Sequence, residues 1–468
     1  MKVLVTGATG FVGHFVLKEL QSRGHDIAVL TRNSETAANR LPVDCEVHSW
    51  EPCSAPPTCA AFEGASAVIH LAGENIASGR WTKTRKRKIL NSRVLSTRRL
   101  VEALGRLSDG PRVLVSSSAI GYYGDGGNQT LTEDDSAGED FLADVCKKWE
   151  QEVFEAKLHG VRAVALRTGV VLGRGGGAMQ KMLPIFRLGM GGRLGTGKQW
   201  MSWIHAMDLA RMFVHAIETP AMEGAYNATS PFPVTQQDFT ATLAGVLKRP
   251  ARFPVPAFAL KMAFGDMAGI FLASQRVLPK KLLAAGFEFS LAGLKEALED
   301  INRSPYVHFE RQQWIPQPID KAFSFFREAK NLETLTPDYL HFKIVEQSTD
   351  EIKEGTKIDY RLRLHGLPFR WQSQITDWQP VSRFADVQTR GPYAYWHHTH
   401  EFIEKKGGTL LQDRVMYKVP FGVPGELIVG GLIRKDLEYI FAYRRQQIER
   451  IFGTGKQVAN PEPKATSC

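Results

Sequence analysis

Cysteine is scarce in this chain of 468 residues. Cys45, Cys53, Cys59, Cys146 and Cys468 are an odd five, spaced for neither a zinc motif nor a disulfide framework, so reduced thiols are expected. No stretch offers the roughly 20 uninterrupted apolar residues that a spanning helix needs, which excludes a helical membrane span. The opening MKVLVTGATG lacks a basic n-region and a small-residue cleavage site, so it does not read as a secretory signal, and a cytoplasmic location is expected. Internal repeats are missing too. Compositional extremes are also absent. At 43% hydrophobic and 23% charged, the chain cannot be wholly disordered, collagen-like or a disulfide scaffold. The net charge of +10 permits contact with nucleic acid, acidic membranes or phosphorylated small molecules and selects none of them.

The length suggests about three units, or two large ones, at roughly 150 residues each. Two textures are present. Up to about Ile301, short runs such as Val3-Leu4-Val5, Ile27-Ala28-Val29-Leu30, Ala67-Val68-Ile69, Val113-Leu114-Val115 and Val164-Ala165-Leu166 alternate with helical patterns. Strands apolar on both faces and separated by helices argue for a doubly wound α/β parallel sheet. After Asn302-Arg303-Ser304-Pro305 the pattern becomes antiparallel. Ile358, Tyr360, Leu362 and Leu364 alternate with polar residues, Gly366-Leu367-Pro368 turns the chain, and Phe369, Trp371 and Ile375 resume. A long helix follows, with a stripe through Val429, Leu432, Ile433, Leu437, Ile440, Phe441, Ile448, Ile451 and Phe452. Residues 454–468 are polar, contain Pro461 and Pro463, and read as a disordered tail.

The sharpest motif is Gly7-Ala8-Thr9-Gly10-Phe11-Val12-Gly13, between a strand at 2–6 and an amphipathic helix at 11–23. Glycine is needed where a backbone turns tightly and approaches a pyrophosphate, and the helix N-terminus then offers free N–H groups to the phosphates. The strand–loop–helix context is what a dinucleotide site requires. The spacing and the wording TGATGFVG resemble the extended or atypical branch of the short-chain dehydrogenase/reductase superfamily. NAD sites place a carboxylate at the end of the second strand. Here that strand ends Val29-Leu30-Thr31-Arg32-Asn33. Arg32 can face a 2′-phosphate, with Thr31 or Asn33 adding a hydrogen bond, which points to NADP(H); the plain alternative is a solvated surface arginine.

Ser116-Ser117-Ser118-Ala119 follows the fifth strand. By resemblance, Ser118 polarises the substrate oxygen, with Ser117 as second choice; the alternative is a hydroxyl that caps the strand end. The superfamily's Tyr-x-x-x-Lys pair is missing. Aligning Glu150 with the usual glutamate puts Leu142 and Cys146 in its places. Tyr122 and Tyr123 are candidate proton donors, with packed walls of the site as the plainer role, and Lys147 and Lys148 lie just beyond the expected lysine.

Five phrases together, LAGENIASGRW (71–81), SSSAIGYYG (116–124), DFLADVCKKWE (140–150), RTGVVLG (167–173) and GTGKQWMSWIHAMDLA (195–210), are similar to the YfcH/SDR39U1-like epimerase family. The resemblance spans roughly 1–300, including a helical extension with SQRVLPKKLLAAGFEF. It implies that Ala72 and Gly73 border the cofactor and that Glu74 and Asn75 face the active-site mouth. It also implies that Arg167, after strand six, fixes a substrate or phosphate. His205 is either a proton donor or, more plainly, a buried structural histidine near Asp208. The basic run 80–88 continues into an apolar-striped helix, so a solvated basic face explains it and no nucleic acid is expected.

Residues 306–452 resemble the START/Bet v1-like (SRPBCC) superfamily. A first strand, Pro318-Ile319-Asp320 opening a helix, Asn331-Leu332-Glu333-Thr334-Leu335-Thr336-Pro337, several antiparallel strands and the final helix fit its order. That implies an α+β helix-grip domain holding a hydrophobic ligand or lipid; a filled core or an interaction module is the alternative. In Tyr395-Trp396-His397-His398-Thr399-His400, only His398 and His400 share a strand face, and with no obvious carboxylate no metal is expected.

The expected organisation is a nucleotide-binding domain with a substrate lobe at 1–251, the family's helical extension at 252–301, the ligand domain at 305–453 and the tail at 454–468. The expected function is an NADP(H)-dependent oxidoreductase or epimerase acting on a small-molecule substrate at a carbonyl or hydroxyl carbon. Two rivals stand beside it: a non-catalytic NADPH sensor, and a lipid carrier regulated by nucleotide. A homodimer is left open.

Overall fold

The computed structural model describes residues 1–34, 37, 41–303, 306–405 and 407–453; the expected tail lies outside them. The contacts divide the chain into two units. Residues 1–37 and 45–303 form the first, so the expected extension at 252–301 packs within it. The second holds 306–453 and groups with 41–44.

The first unit is built on seven parallel strands: β1 (Lys2–Thr6), β2 (Asp26–Thr31), β3 (Glu46–Ser49), β4 (Ala65–His70), β5 (Val113–Ala119), β6 (Arg162–Thr168) and β7 (Gly224–Ala228). Their order is β7-β6-β5-β4-β1-β2-β3, a doubly wound sheet whose direction of winding reverses between β1 and β4. Leu4, Val68 and Leu114 pack one face against α2 (Lys83–Leu104) and α3 (Phe141–Phe154). Val3, Val5, Ile69 and Val115 on the other face are also fully buried, and α1 (Phe11–Ser22) lies beside α4 (Ala206–Glu218). Burial on both faces is why these strands read as continuous apolar runs. One difference from expectation matters for the site. The three serines do not follow the fifth strand but lie inside β5, paired with β6 up to Ala119.

The second unit is a seven-stranded antiparallel sheet. Its strands are β8 (Val307–Ile315), β9 (Lys343–Gln347), β10 (Lys357–Leu364), β11 (Leu367–Gln379), β12 (Arg383–Arg390), β13 (Tyr395–Lys405) and β14 (Gly408–Lys418), in the order β8-β14-β13-β12-β11-β10-β9. Helix α5 (Ile319–Arg327) places Phe323 in a core with Phe384 and Phe402, and α6 (Gly422–Phe452) closes it with Leu437, Phe441 and Ile448. This is the expected helix-grip arrangement. The expected stripe is too broad, since Leu432 and Ile451 are exposed. Leu432 lies about 140° around the helix from Leu437, off the buried face. The hairpin turn also falls earlier, with His365 and Gly366 both at positive φ and Leu367 already in strand.

Cys45, Cys53 and Cys146 are in no disulfide, whereas Cys59 is disulfide-bonded, against the expectation of reduced thiols throughout. Among the described residues no helix is long and apolar enough to cross a membrane.

Candidate functional site

The carboxyl ends of β1, β2, β4 and β5 converge where the sheet reverses its winding, the position at which open α/β sheets take ligands. Gly7 ends β1 at φ +69°, and a Cβ there would stand 2.6 Å from the Leu71 carbonyl carbon. Gly13 is as tightly held, since its Cβ would meet the Ala8 Cα at 2.6 Å. These two positions admit only glycine if the loop is to lie flat between β1 and β4. Gly10 begins α1 with no side-chain cap, so the first N–H groups of the helix remain open to an anion. Thr9, Phe11 and Val12 are half-buried around it. The Phe11 ring packs under the 173–177 loop, close enough that a Cβ on Gly176 would stand 2.3 Å from it. Phe11 therefore reaches a ligand only through its backbone.

Beneath this loop lies a buried polar chain that sequence reasoning missed. Leu71 N and Ala72 N both donate to Thr6 Oγ1 at 3.2 Å, and that oxygen is 2.7 Å from His70 Nδ1. With its acceptor capacity taken, the Thr6 hydroxyl donates to Nδ1. This assigns the His70 proton to Nε2, which points at Thr97 Oγ1 3.1 Å away. Burial pushes the His70 pKa down to about 3, so the ring is neutral and fixes where β4 hands over to Ala72 and Gly73. Gly73 is exposed, with the Arg93 guanidinium 3.3 Å from where its Cβ would be.

Thr31 is half-buried at the end of β2, and Arg32 beyond it is exposed. Arg32 makes no hydrogen bond or ion pair among the described residues. Glu74 and Asn75 are held by α2: Arg85 pairs with Glu74 at 2.8 Å and also donates to the Asn75 carbonyl. Two more residues of the basic run are engaged in the same way, Lys86 on Asp266 at 2.6 Å and Arg80 on the Met262 and Ala263 carbonyls.

At the end of β5, side chains alternate across the strand. Ser116 and Ser118 turn inward and Ser117 turns to the partly open face. Ser118 is 3% exposed and donates to Glu150 Oε1 at 2.6 Å. Arg167 grips both oxygens of Glu150, each at 2.9 Å, and donates to Tyr123 Oη at 3.0 Å. Tyr123 in turn donates to Asn227 Oδ1 at 2.8 Å. Burial pushes the Tyr123 pKa up to about 12. Arg167 also stacks 3.4 Å over the Tyr122 ring. The structure thus brings Ser118, Tyr122 and Tyr123 together through Arg167. It does so inside β6 rather than after it, and Arg167 is too buried and too fully paired to fix a phosphate. Ser117 Oγ and Tyr122 Oη are the hydroxyls of this segment with no partner among the described residues.

The places of the missing pair are plain. Leu142 packs toward Gly121, where a Cβ would stand 3.2 Å from it. Cys146 is buried with Sγ 3.6 Å from the Ala119 carbonyl, and burial raises its pKa to about 12. Lys147 and Lys148 are exposed, and Lys148 pairs with Asp144 along the helix at 2.8 Å. His205 caps α4, with Nδ1 accepting from Met207 N, and burial lowers its pKa. The fully buried Asp208 accepts from Ser290 N and Leu291 N at 2.9 Å. Asp208 is thereby bound into the fold, and His205 Nε2 stands 3.5 Å from Asp300 Oδ2.

Family comparisons follow this geometry. Residues 3–229 match the NAD dependent epimerase/dehydratase family, 255–301 a domain of unknown function (DUF1731), and 315–439 the family of polyketide cyclase / dehydrase and lipid transport. The chain is 39% identical over 310 residues to the chloroplastic SDR39U1 homolog of Arabidopsis thaliana, a match that covers 64% of this chain and 86% of that one. Human SDR39U1 is 36% identical over 309 residues, covering 64% and 99%. The solved structure of human SDR39U1 (isoform 2) with NADPH aligns at a TM-score of 0.57 and 33% identity, over 65% of this chain and all of that one. A nucleoside-diphosphate sugar epimerase from Corynebacterium glutamicum aligns at 0.52 and 32%, over 64% of this chain and 58% of that one.

Proposed function

The chain belongs to the epimerase family that includes SDR39U1, and from this premise we propose that its first unit is an NADP(H)-dependent oxidoreductase or epimerase acting at a carbonyl or hydroxyl carbon of a small molecule. The observation that carries the reading is the open cradle of Gly7, Gly10 and the uncapped start of α1, bordered by Ala72 and Gly73, with Arg32 free at the end of β2. The donor set fits a dinucleotide with a 2′-phosphate: N–H groups for the pyrophosphate, and an unpaired guanidinium in place of a carboxylate. Bound there, a nicotinamide supplies hydride donation or acceptance. The human relative solved with NADPH supports the same choice.

Of the expected catalytic residues, Ser118 and Tyr123 hold position and Tyr122 meets the substrate. Ser118 gives its only proton to Glu150, so Ser117 is the hydroxyl that polarises the substrate oxygen, and Tyr122 donates or takes the proton. The second unit holds a hydrophobic ligand. Its cavity of about 50 Å³ is far below the ~300–1,000 Å³ of ordinary ligand pockets, so a bulky occupant must part the aromatic core. A cytoplasmic location belongs to the same reading.

A second reading, an NADPH sensor without turnover, is favoured by Leu142 and Cys146 in the place of the acid–base pair and by the outward lysines. Carbonyl-substrate-dependent oxidation of NADPH by the full chain separates the two. Ser117→Ala and Tyr122→Phe are each expected to lose roughly 100-fold in kcat with NADPH affinity unchanged. Ser118→Ala is expected to cost about 1–2 kcal/mol of stability through the unmet Glu150 oxygen. Tight NADPH binding with neither NADPH oxidation across a carbonyl screen nor inversion of a hydroxyl carbon across a matching alcohol screen would decide for the sensor.

A further inference from the structure

His398 and His400 share a face of β13, as their spacing requires, and the sheet register supplies the carboxylates that the sequence did not show. Asp386 of β12 lies opposite His398, and Asp413 of β14 lies opposite His400. Asp413 Oδ1 sits between the two rings, 2.8 Å from His398 Nε2 and 2.7 Å from His400 Nδ1. Toward His398 this is a hydrogen bond, which fixes ring orientation and tautomer as the outer partner of a metal-bound imidazole does, whereas His400 Nδ1 lies at ion-pair distance without hydrogen-bond geometry. The opposite nitrogen of His398, Nδ1, faces Asp386 Oδ1 across 3.6 Å, too far for a hydrogen bond. One donor atom from each of Asp386, His398 and His400 lies within 4.8 Å of the other two. An ion bound at about 2.1 Å needs donors about 3.4 Å apart in a tetrahedral set, so modest side-chain rotations close it.

The surroundings add an independent sign. Asp386 and His400 line the small cavity of this unit together with Arg444 and apolar residues such as Leu335, Ile358 and Phe384. Arg444 is 7% exposed, yet its Nε and Nη1 have no hydrogen-bond partner. Asp413, at 3.5 Å, is its ionic partner among the described residues. Unmet guanidinium donors beside a cavity are costly unless an anionic group enters it. Arg444 also offsets the charge of Asp413. The cluster then presents one uncompensated carboxylate and two imidazoles, a donor set suited to zinc or iron rather than calcium or magnesium.

We propose that Asp386, His398 and His400 bind one divalent transition-metal ion, with Asp413 as the outer partner of the His398 imidazole and an open coordination position facing the cavity, where Arg444 receives an anionic ligand. Three protein ligands and one exchangeable position are the pattern of reactive rather than purely structural ions.

The test is a titration of untagged, chelator-stripped full-length protein with Co²⁺ and then Zn²⁺. One Co²⁺ per chain with visible d–d absorption, displaced by one Zn²⁺, is expected. His400→Gln and Asp386→Asn abolish the signal, and Asp413→Asn weakens it roughly 10- to 100-fold. X-ray absorption on the zinc-loaded wild-type protein needs no variant and is expected to show two imidazoles in the shell. No stoichiometric ion in the wild type, undiminished binding in the variants, or a shell with fewer than two imidazoles each overturns the site.

Discussion

Each unit buries a charged network, and the two differ in how completely they are satisfied. In the first, Glu150 accepts from Ser118 and from two nitrogens of Arg167, and the remaining donors pass through Tyr123 to Asn227. In the second, Asp413 is hydrogen-bonded to His398, while His400 Nδ1 and two nitrogens of Arg444 keep no hydrogen bond and Asp386 stands off from His398. Burying charge is tolerable only when hydrogen bonds complete it. A complete network rigidifies its surroundings and has nothing left to offer a ligand; an incomplete one beside a cavity is poised to take one. On that ground Glu150–Arg167 is scaffold for the cleft, and the cluster around Asp413 is the proposed ion site.

The largest expected effect comes from breaking the complete network. Glu150→Ala leaves the Arg167 guanidinium buried and uncompensated, and should cost about 3–5 kcal/mol in the unfolding transition of the first unit. Denaturant titration measures it, and a cost under about 1 kcal/mol would mean that the pair is not the scaffold described.

Next is acid. His70 titrates near 3 in the folded chain and near 6.5 unfolded, so its contribution is intact above about 6.5 and is lost as pH falls toward 3. At pH 4.5 the loss should reach about 2.7 kcal/mol relative to neutral pH. The difference between pH 7 and 4.5 should shrink by that amount in His70→Asn, and an unchanged pH dependence would remove His70 as its source.

The smallest effect is expected on the solvent side of α3. Lys147→Ala and Lys148→Ala should leave kcat unchanged and stability within about 0.5 kcal/mol, because both are exposed and neither joins the buried network of the cleft. A large loss of turnover in either would reinstate a lysine in the chemistry.

Legibility in the sequence follows the range of the interactions. The glycine loop could be read because the turn, the close approach to Leu71 and the uncapped helix start are local demands on Gly7, Gly10 and Gly13. Continuous apolar runs placed five of the seven parallel strands, and period-two and period-3.6 patterns placed β10, β11 and α6, since burial repeats along each element. What failed was cross-element. Glu150 stood in its family position, yet its bond to Ser118 depends on how α3 settles against β5. The carboxylates of His398 and His400 lie 12 and 13 residues away, and only the pairing of three strands brings them opposite. The Thr6–His70–Thr97 chain crosses β1, β4 and α2 and left no pattern in any one of them.

The most direct measurement is a fluorescence titration of the full chain with NADPH and with NADH at fixed salt, repeated with Arg32→Ala. Saturable NADPH binding at least tenfold tighter than NADH is expected, with the preference lost in the variant and NADH affinity unmoved. Equal affinities would contradict the role of Arg32, and no binding of either nucleotide would contradict the cofactor site itself.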